Sequence, residues 1–481
     1  MSHIGNDAID STDYTDMHRA GYHPSFQEAD SILERVRDLE AAEPRMIDEP
    51  HRLEARIAHA RRQAALGKAL LSPWRRIPPE IWSEIFILSV PENWYRIPID
   101  RKFLACAEVC YSWRVVALNT SELWTDIIIG LNTGLPRPNL EALFMTHLGR
   151  AGNQLLRLRA QDIGMPWAEP YYNSLLWQLI GQQSRRWKTI ELLDVHPLAY
   201  AKLNGLSYTN LRSLLLKMGD EDTAMTQVHA FDDAPDLRSL EIRDTVDFEL
   251  SPSWRLHTLE IAYVPPAHGH ALNKPFLGSI LPCSQTLRKL VLDAEIVGDR
   301  APVHPTIFPS LEELELTDGA VYIMERIIRP SNLHTLVLRQ DILDREDTTN
   351  TLDIIYRFLD QSTAVQHALR TLVLQSIQTT GISRVLQRLP RLTRLEVEDS
   401  DWTDLIEPGD VIELAAALQR DRTRPESLAF LPDLTHLTLR FDYMMNTHFP
   451  RILGHAEQSR SPANPCTLDG RQLAYLEQLR T

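Results

Sequence analysis

Leu311-Glu312-Glu313-Leu314-Glu315-Leu316 is the stretch on which the fold turns. Leu314 and Leu316 alternate with Glu313 and Glu315, the period-two pattern of a strand with one buried and one solvated face. The same Leu-x-x-Leu-x-(Leu/Ile/Val) hexad begins at Leu211, Leu237, Leu256, Leu287, Leu311, Leu333, Leu369, Leu392 and Leu434. Chance would supply roughly two or three copies in a chain of this leucine content, so the periodicity is real. Subtracting successive starts gives spacings of 26, 19, 31, 24, 22, 36, 23 and 42 residues. Several match a short repeating unit, and the longer ones read as insertions.

Two looser copies precede the nine, Asn153-x-x-Leu156-x-Leu158 and Trp187-x-x-Ile190-x-Leu192. Proline often sits just upstream of the strand, as at Pro235, Pro309, Pro390 and Pro432. It cannot continue a preceding helix and so marks the repeat boundary. Between strands, residues 140–148, 175–180, 321–328, 354–359, 382–389 and 411–418 read as amphipathic helices. Strand and helix alternate, which predicts an α/β solenoid over residues 139–481 with a curved parallel sheet, like a leucine-rich repeat.

The bulk numbers bound the rest. The chain has 481 residues, 43% hydrophobic and 24% charged, the balance of a folded protein with room for a long repeat array and a smaller domain. A formal charge of −15 argues against a general nucleic-acid binder. The Arg185-Arg186-Trp187-Lys188 cluster does not change that, because Trp187 fits the repeat core. Four cysteines, Cys106, Cys110, Cys283 and Cys466, are too few and too irregular for a disulfide scaffold. They read as packed apolar side chains, not zinc ligands. Residues 1–16 are polar and acidic, unlike a signal peptide, and no apolar run approaches the ~18 residues that span a bilayer. Cytoplasm or nucleus is the expected compartment.

Residues 1–24 lack an apolar period and read as disordered. Residues 25–70 read as a helical lead-in. Ser25 with Glu28 resembles a capping box, and Ile32, Val36 and Leu39 fall on one stripe. The alternative is a short coiled-coil dimerisation arm, for which there are few heptads.

Residues 71–130 form an apolar helical block. Ile77-Pro78-Pro79-Glu80-Ile81 opens a helix, with proline in the first turn and Glu80 at the positive end of the dipole. Ile81, Ile85 and Leu88 share a stripe with Phe86 beside them, and Pro91 ends the run. A second helix is expected from Lys102 to about Ala117, and Leu123-Trp124 closes the block. A three-helix unit this small buries only about 60% of its surface, leaving large apolar side chains for a partner.

This block resembles an F-box. The resemblance rests on Ile77-Pro78-Pro79-Glu80-Ile81-x-x-x-Ile85-Phe86, then Cys106-Ala107-Glu108-Val109-Cys110-x-x-Trp113-Arg114, then Leu123-Trp124. Ile77 replaces the commoner Leu, and the segment Pro91–Arg101 is longer than the usual connector. The resemblance implies a substrate receptor of an SCF, a cullin-based ubiquitin ligase: the F-box binds the adaptor subunit and the repeats bind a protein substrate. On that carry-over Pro78, Glu80, Ile81, Ile85, Phe86, Val109 and Trp113 are the candidate adaptor contacts, while Leu123 and Trp124 close the core.

On the repeat region the candidate substrate contacts are the strand residues turned away from the leucines: Glu241, Glu260, Glu315 and Glu396, with Arg243, Arg339, Glu398 and Arg440 following each strand. The mixture favours a partner with some basic character. No phosphate-binding loop, nucleophile elbow, zinc-protease or dinucleotide motif occurs. His268 and His270 have no third ligand in view, and Arg420, Arg422 and Arg424 read as a solvated inter-repeat loop. The expectation is therefore no catalysis, no cofactor and no metal. The rival readings are a scaffold with the same two parts that does not drive ubiquitylation, and a hydrolase hidden in the insertions at 339–369 and 397–434.

Overall fold

The computed structural model describes residues 14–19, 21, 23–42, 52–90, 105–130, 137–161, 175–195, 197–217, 229–243, 250–263, 280–294, 306–325, 327–328, 330–340, 351–377, 381–398, 408–440 and 448–480. The connector Pro91–Arg101, the His268–His270 pair and much of the insertions lie outside them. The chain divides into two compact units, Met1–Arg159 and Ala160–Thr481.

The hexads become strands. In chain order the main strands are β1 Asp126–Gly130, β2 Leu156–Gln161, β3 Trp187–Leu193, β4 Ser213–Lys217, β5 Ser239–Arg243, β6 Thr258–Tyr263 and β7 Lys289–Ala294. They continue as β8 Glu313–Thr317, β9 Thr335–Arg339, β10 Thr371–Gln375, β11 Arg394–Glu398, β12 His436–Arg440 and β13 Gln478–Arg480. They hydrogen-bond in chain order into one 13-stranded sheet. Pairing from β3 to β13 is parallel and keeps one register, so Leu314 stands beside Leu290 and Leu336, and Leu372 beside Leu336 and Leu395. The architecture is α/β and solenoid-like.

Three leucine positions per repeat make the core of the second unit. The first residue of every hexad, from Leu211 to Leu434, is wholly buried, as are Leu240, Leu290, Leu314 and Leu395. Each such side chain contributes about 1.5–3 kcal/mol by leaving water. Trp187 and Trp254 share this core and donate their indole N–H to the carbonyls of Ile180 (3.0 Å) and Phe231 (3.2 Å).

Helices fill the returns. The first unit has α1 Tyr14–Arg19, α2 Phe26–Ala42, α3 Arg52–Leu70, α4 Pro79–Ser89, α5 Cys106–Val109, α6 Tyr111–Asn119 and α7 Arg137–Ala151. The second has α8 Leu175–Gln182, α9 Pro197–Tyr200, α10 Thr351–Asp360, α11 Thr363–Ala368, α12 Ile382–Leu386, α13 Pro408–Ala417, α14 Pro425–Ala429 and α15 His448–Ser459. One expected helix is different. Residues 321–328 give a 3-10 helix, Asp318–Glu325, followed by a two-residue strand, Ile327–Ile328, paired with Thr306–Ile307. The β-branched residues Val321, Ile323, Ile327 and Ile328 disfavour a regular α-helix there.

The lead-in packs on itself. Ser25 and Glu28 form the expected reciprocal cap: the Ser25 N–H donates to Glu28 Oε2 at 2.8 Å, and the Glu28 N–H to Ser25 Oγ at 3.4 Å. Ile32, Val36 and Leu39 of α2 bury against Ala60, Ala64 and Leu70 of α3. The pair crosses at Gly67, where an added Cβ would sit 2.6 Å from Val36 Cγ2. Tyr14 joins this core, so α1 corrects the expectation of disorder up to residue 24. Its backbone N–H donates to Gln63 Oε1 at 2.7 Å. Burying a large ring with a satisfied amide orders the segment.

Candidate interaction surfaces

Helix α4 opens as its sequence suggests, with Pro79 in its first turn and the Ile81 and Trp82 amides returning to the Pro78 carbonyl. Its inward residues are Trp82 and Phe86. Trp82 meets Trp113 of α6 with ring centroids 4.2 Å apart, and Phe86 meets the same indole edge-on at 5.2 Å. Thr120 donates to Ser83 at 2.9 Å, and Trp124 donates its indole N–H to the Ala117 carbonyl at 3.1 Å. Leu123 and Trp124 are buried and close the block.

With the aromatic residues inside, the aliphatic stripe is left outside. Ile81 is 51% exposed, Ile85 38% and Leu88 82%. Val109 of α5 is 59% exposed, and Trp74, Tyr111 and Val115 are exposed as well. Exposed aliphatic side chains at i, i+4 and i+7 of one helix form a stripe that calls for a cover. Pro78 and Glu80 are also exposed. Phe86 is 2% exposed and belongs to the core, which removes it from the candidate contacts; Trp113, packed under Trp82 and Phe86, is only partly accessible. Leu88, Trp74 and Tyr111 join the exposed set, of which the sequence had marked only Leu88, by its place on the stripe.

The second helix is not continuous. Cys110 adopts φ −157° and ψ 171°, splitting the expected run into α5 and α6. Arg114 donates across the break to the Ala107 carbonyl at 2.9 Å. Cys106 and Cys110 are half-buried instead of core residues, and Cys110 lies 3.4 Å from the Ser112 hydroxyl. On the far flank of α4, a groove of about 300 Å³ runs between Pro79, Ser83, Tyr111, Val115 and Thr120. Gly21, at φ 66°, borders it, and a Cβ there would lie 3.0 Å from the Tyr111 ring.

The second surface is the solvated face of the sheet. Register aligns its side chains into rows across the strands. One row carries Glu191, Glu241, Glu260, Glu315 and Glu396, separated in places by Leu215, Val291, Val337 and Val373. Two residues along each strand, about 7 Å away, a second row carries Lys217, Arg243, Arg339 and Arg440 with Asp293 and Glu398. Acid and base therefore run as parallel stripes.

Many of these charges are paired. Arg339 pairs with Glu315 at 2.6 Å, Arg440 with Glu398 at 3.2 Å, and Arg243 with Glu241 on its own strand. Glu396 pairs with Arg394, a residue the sequence reading left out. Lys289 is shared between Glu260 at 3.9 Å and Glu313 at 3.6 Å. At Glu260 burial, then the neighbouring Glu241 carboxylate, raises the pKa, with Lys289 acting against them. All eight candidate substrate contacts lie on this face, and from β3 to β12 the two rows together carry seven acidic side chains against four basic ones, so the pairing leaves a modest acidic excess.

Among the described residues no group of three or more His, Cys, Asp or Glu could hold a metal ion, and no helix is long and apolar enough to cross a membrane. No protein-family model and no curated protein matches the chain.

Proposed function

We propose that this chain is the substrate-recognition subunit of an SCF-type ubiquitin ligase, with an F-box at residues 71–130 and leucine-rich repeats beyond. The observation that carries the reading is the division of labour on α4: Trp82 and Phe86 hold the block together while Ile81, Ile85 and Leu88 stand exposed. On this reading the exposed stripe, with Val109 and the rim residues Pro78 and Glu80, docks on the adaptor and through it on a cullin. The striped sheet face receives a protein substrate. The chain works in the cytoplasm or nucleus as a receptor, not a catalyst, holding a substrate lysine near a ubiquitin-charged enzyme recruited elsewhere in the complex.

Affinity capture with the full chain tests this. The expected result is recovery of adaptor and cullin, loss of both on deleting residues 71–130, and a longer half-life of a captured partner in cells that carry the deletion. Recovery of the adaptor with an unchanged partner half-life would favour the scaffold reading. Failure to recover the adaptor would overturn both.

A further inference from the structure

Among the described residues, Arg420, Arg422 and Arg460, near the end of the repeat region, form no ion pair with a carboxylate; Asp433 acts on Arg420 only through space. Arg420 falls in the loop after α13, which the sequence reads as solvated, but it is 6% exposed. It donates to the carbonyls of Ala474 at 2.8 Å and Pro432 at 3.1 Å, and its Nε–H meets no acceptor among the described residues. Arg460 is 1% exposed and is held wholly by main chain, donating to the carbonyls of Leu418, Leu431 and Phe430 at 2.7–2.9 Å. Arg422 donates to the Pro465 carbonyl at 3.0 Å. Carbonyl oxygens accept from these guanidinium groups but do not neutralise their positive charges. Burial, with Arg420 alongside, pulls the Arg460 guanidinium down to about 9.

Arg420 and Arg422 edge a cleft, which Arg460 does not line. Arg420, Arg422, Arg424 and His455 line a space of about 940 Å³ between α13, α14 and α15. The side chains of Gln419, Gln458 and Asn464 line it too and can hydrogen-bond to hydroxyl groups, whereas the Ser427 hydroxyl is taken up by main chain, accepting from the Asp421 amide at 2.8 Å. Two acids also line it, Glu426 and Asp421. Asp421 already accepts from the Thr423 amide at 2.8 Å and hydroxyl at 2.6 Å, with Arg424 at 3.7 Å. The nearby Asp433 is shared between Arg391 and Arg471. A cleft of this size accommodates a small molecule. In a chain of net charge −15, a local surplus of guanidinium is a specific feature.

The geometry points to a binding site for a small, soluble, hydroxyl-bearing phosphate ester, its phosphate held by Arg422 and Arg424 over the buried charge of Arg420. Guanidinium forks match phosphate oxygens, and the amide side chains read the hydroxyls. This inference is independent of the ligase reading, because it concerns a cleft that neither adaptor nor sheet-face docking uses.

The test is thermal unfolding and calorimetric titration of the full chain at matched ionic strength, with glucose 6-phosphate, inorganic phosphate and glucose as probes. The expected result is saturable stabilisation of several degrees by glucose 6-phosphate, a weaker effect of phosphate and none of glucose. R422A/R424A should bind on the order of tenfold to a hundredfold more weakly, with an unchanged circular-dichroism spectrum. R422K/R424K should recover part of the affinity, and R451A, which removes an exposed arginine outside the cleft, should bind normally. Absence of phosphate-specific binding, or equal binding by R422A/R424A, would overturn the assignment.

Discussion

Trp82 and Trp113 face each other across α4 and α6 with ring centroids 4.2 Å apart. That contact fixes which side of α4 is core and therefore which side remains for a partner. Trp82 is buried, so Trp82→Ala should cost about 3–5 kcal/mol. Hydrogen exchange of the α4 and α6 amides in the full chain should show the loss directly. Unchanged protection would mean the two helices are held by something else.

The sheet face and sheet core should respond very differently. Arg339 and Glu315 pair at the surface, so Arg339→Ala should change stability by no more than about 1 kcal/mol. Leu336, wholly buried one row away, should cost about 2–5 kcal/mol on replacement by Ala. Chemical denaturation of the two variants compares them. Equal losses would contradict the division into solvated and buried faces.

His147 supplies a pH dependence. It is buried edge-on against Trp124, and burial holds its imidazole down to about 4. The unfolded chain takes up a proton near pH 6.5, while the folded one stays neutral until about pH 4. Stability from this site is thus present above pH 6.5 and is lost as pH falls towards 4, by at most roughly 3 kcal/mol. His147→Gln, which cannot take up that proton, should flatten this part of the denaturation-midpoint profile between pH 7 and pH 4.5. An unchanged slope would contradict the assignment.

Gly67 tests the lead-in. With Val36 Cγ2 2.6 Å from the Cβ site, Gly67→Ala should force α2 and α3 apart despite alanine's better helix propensity. A loss of about 1–3 kcal/mol is expected. A gain in stability would show that the two helices do not cross there.

Much of this was legible because the information is periodic. The hexads mark both strand and buried face, and β4–β12 follow them. The capping box at Ser25 and the Pro78-Pro79 helix start are local signals that the structure keeps. Other features depended on contacts distant in sequence. Helix α4 carries two apolar stripes, Trp82–Phe86 and Ile81–Ile85–Leu88, and periodicity cannot say which turns inward. Trp113, some thirty residues on, decides. Strand β1 lacks the hexad, and β13 is three residues long. Arg420 looks like a loop residue until the Ala474 carbonyl, 54 residues away, arrives to meet it. The charge pairing across the sheet face needed the register of neighbouring strands, which no single repeat contains.

The account rests on the exposed stripe of α4 being a docking face. Its most direct test is the affinity of purified SCF adaptor for the full chain and for the double variant Ile81→Asp, Ile85→Asp, with folding verified by circular dichroism. Both side chains point away from the Trp82–Phe86–Trp113 core, so the variant should fold. The account predicts adaptor binding by the native chain and at least a hundredfold loss in the variant, on the order of 3 kcal/mol. Equal binding by both chains, or none by the native one, would contradict it.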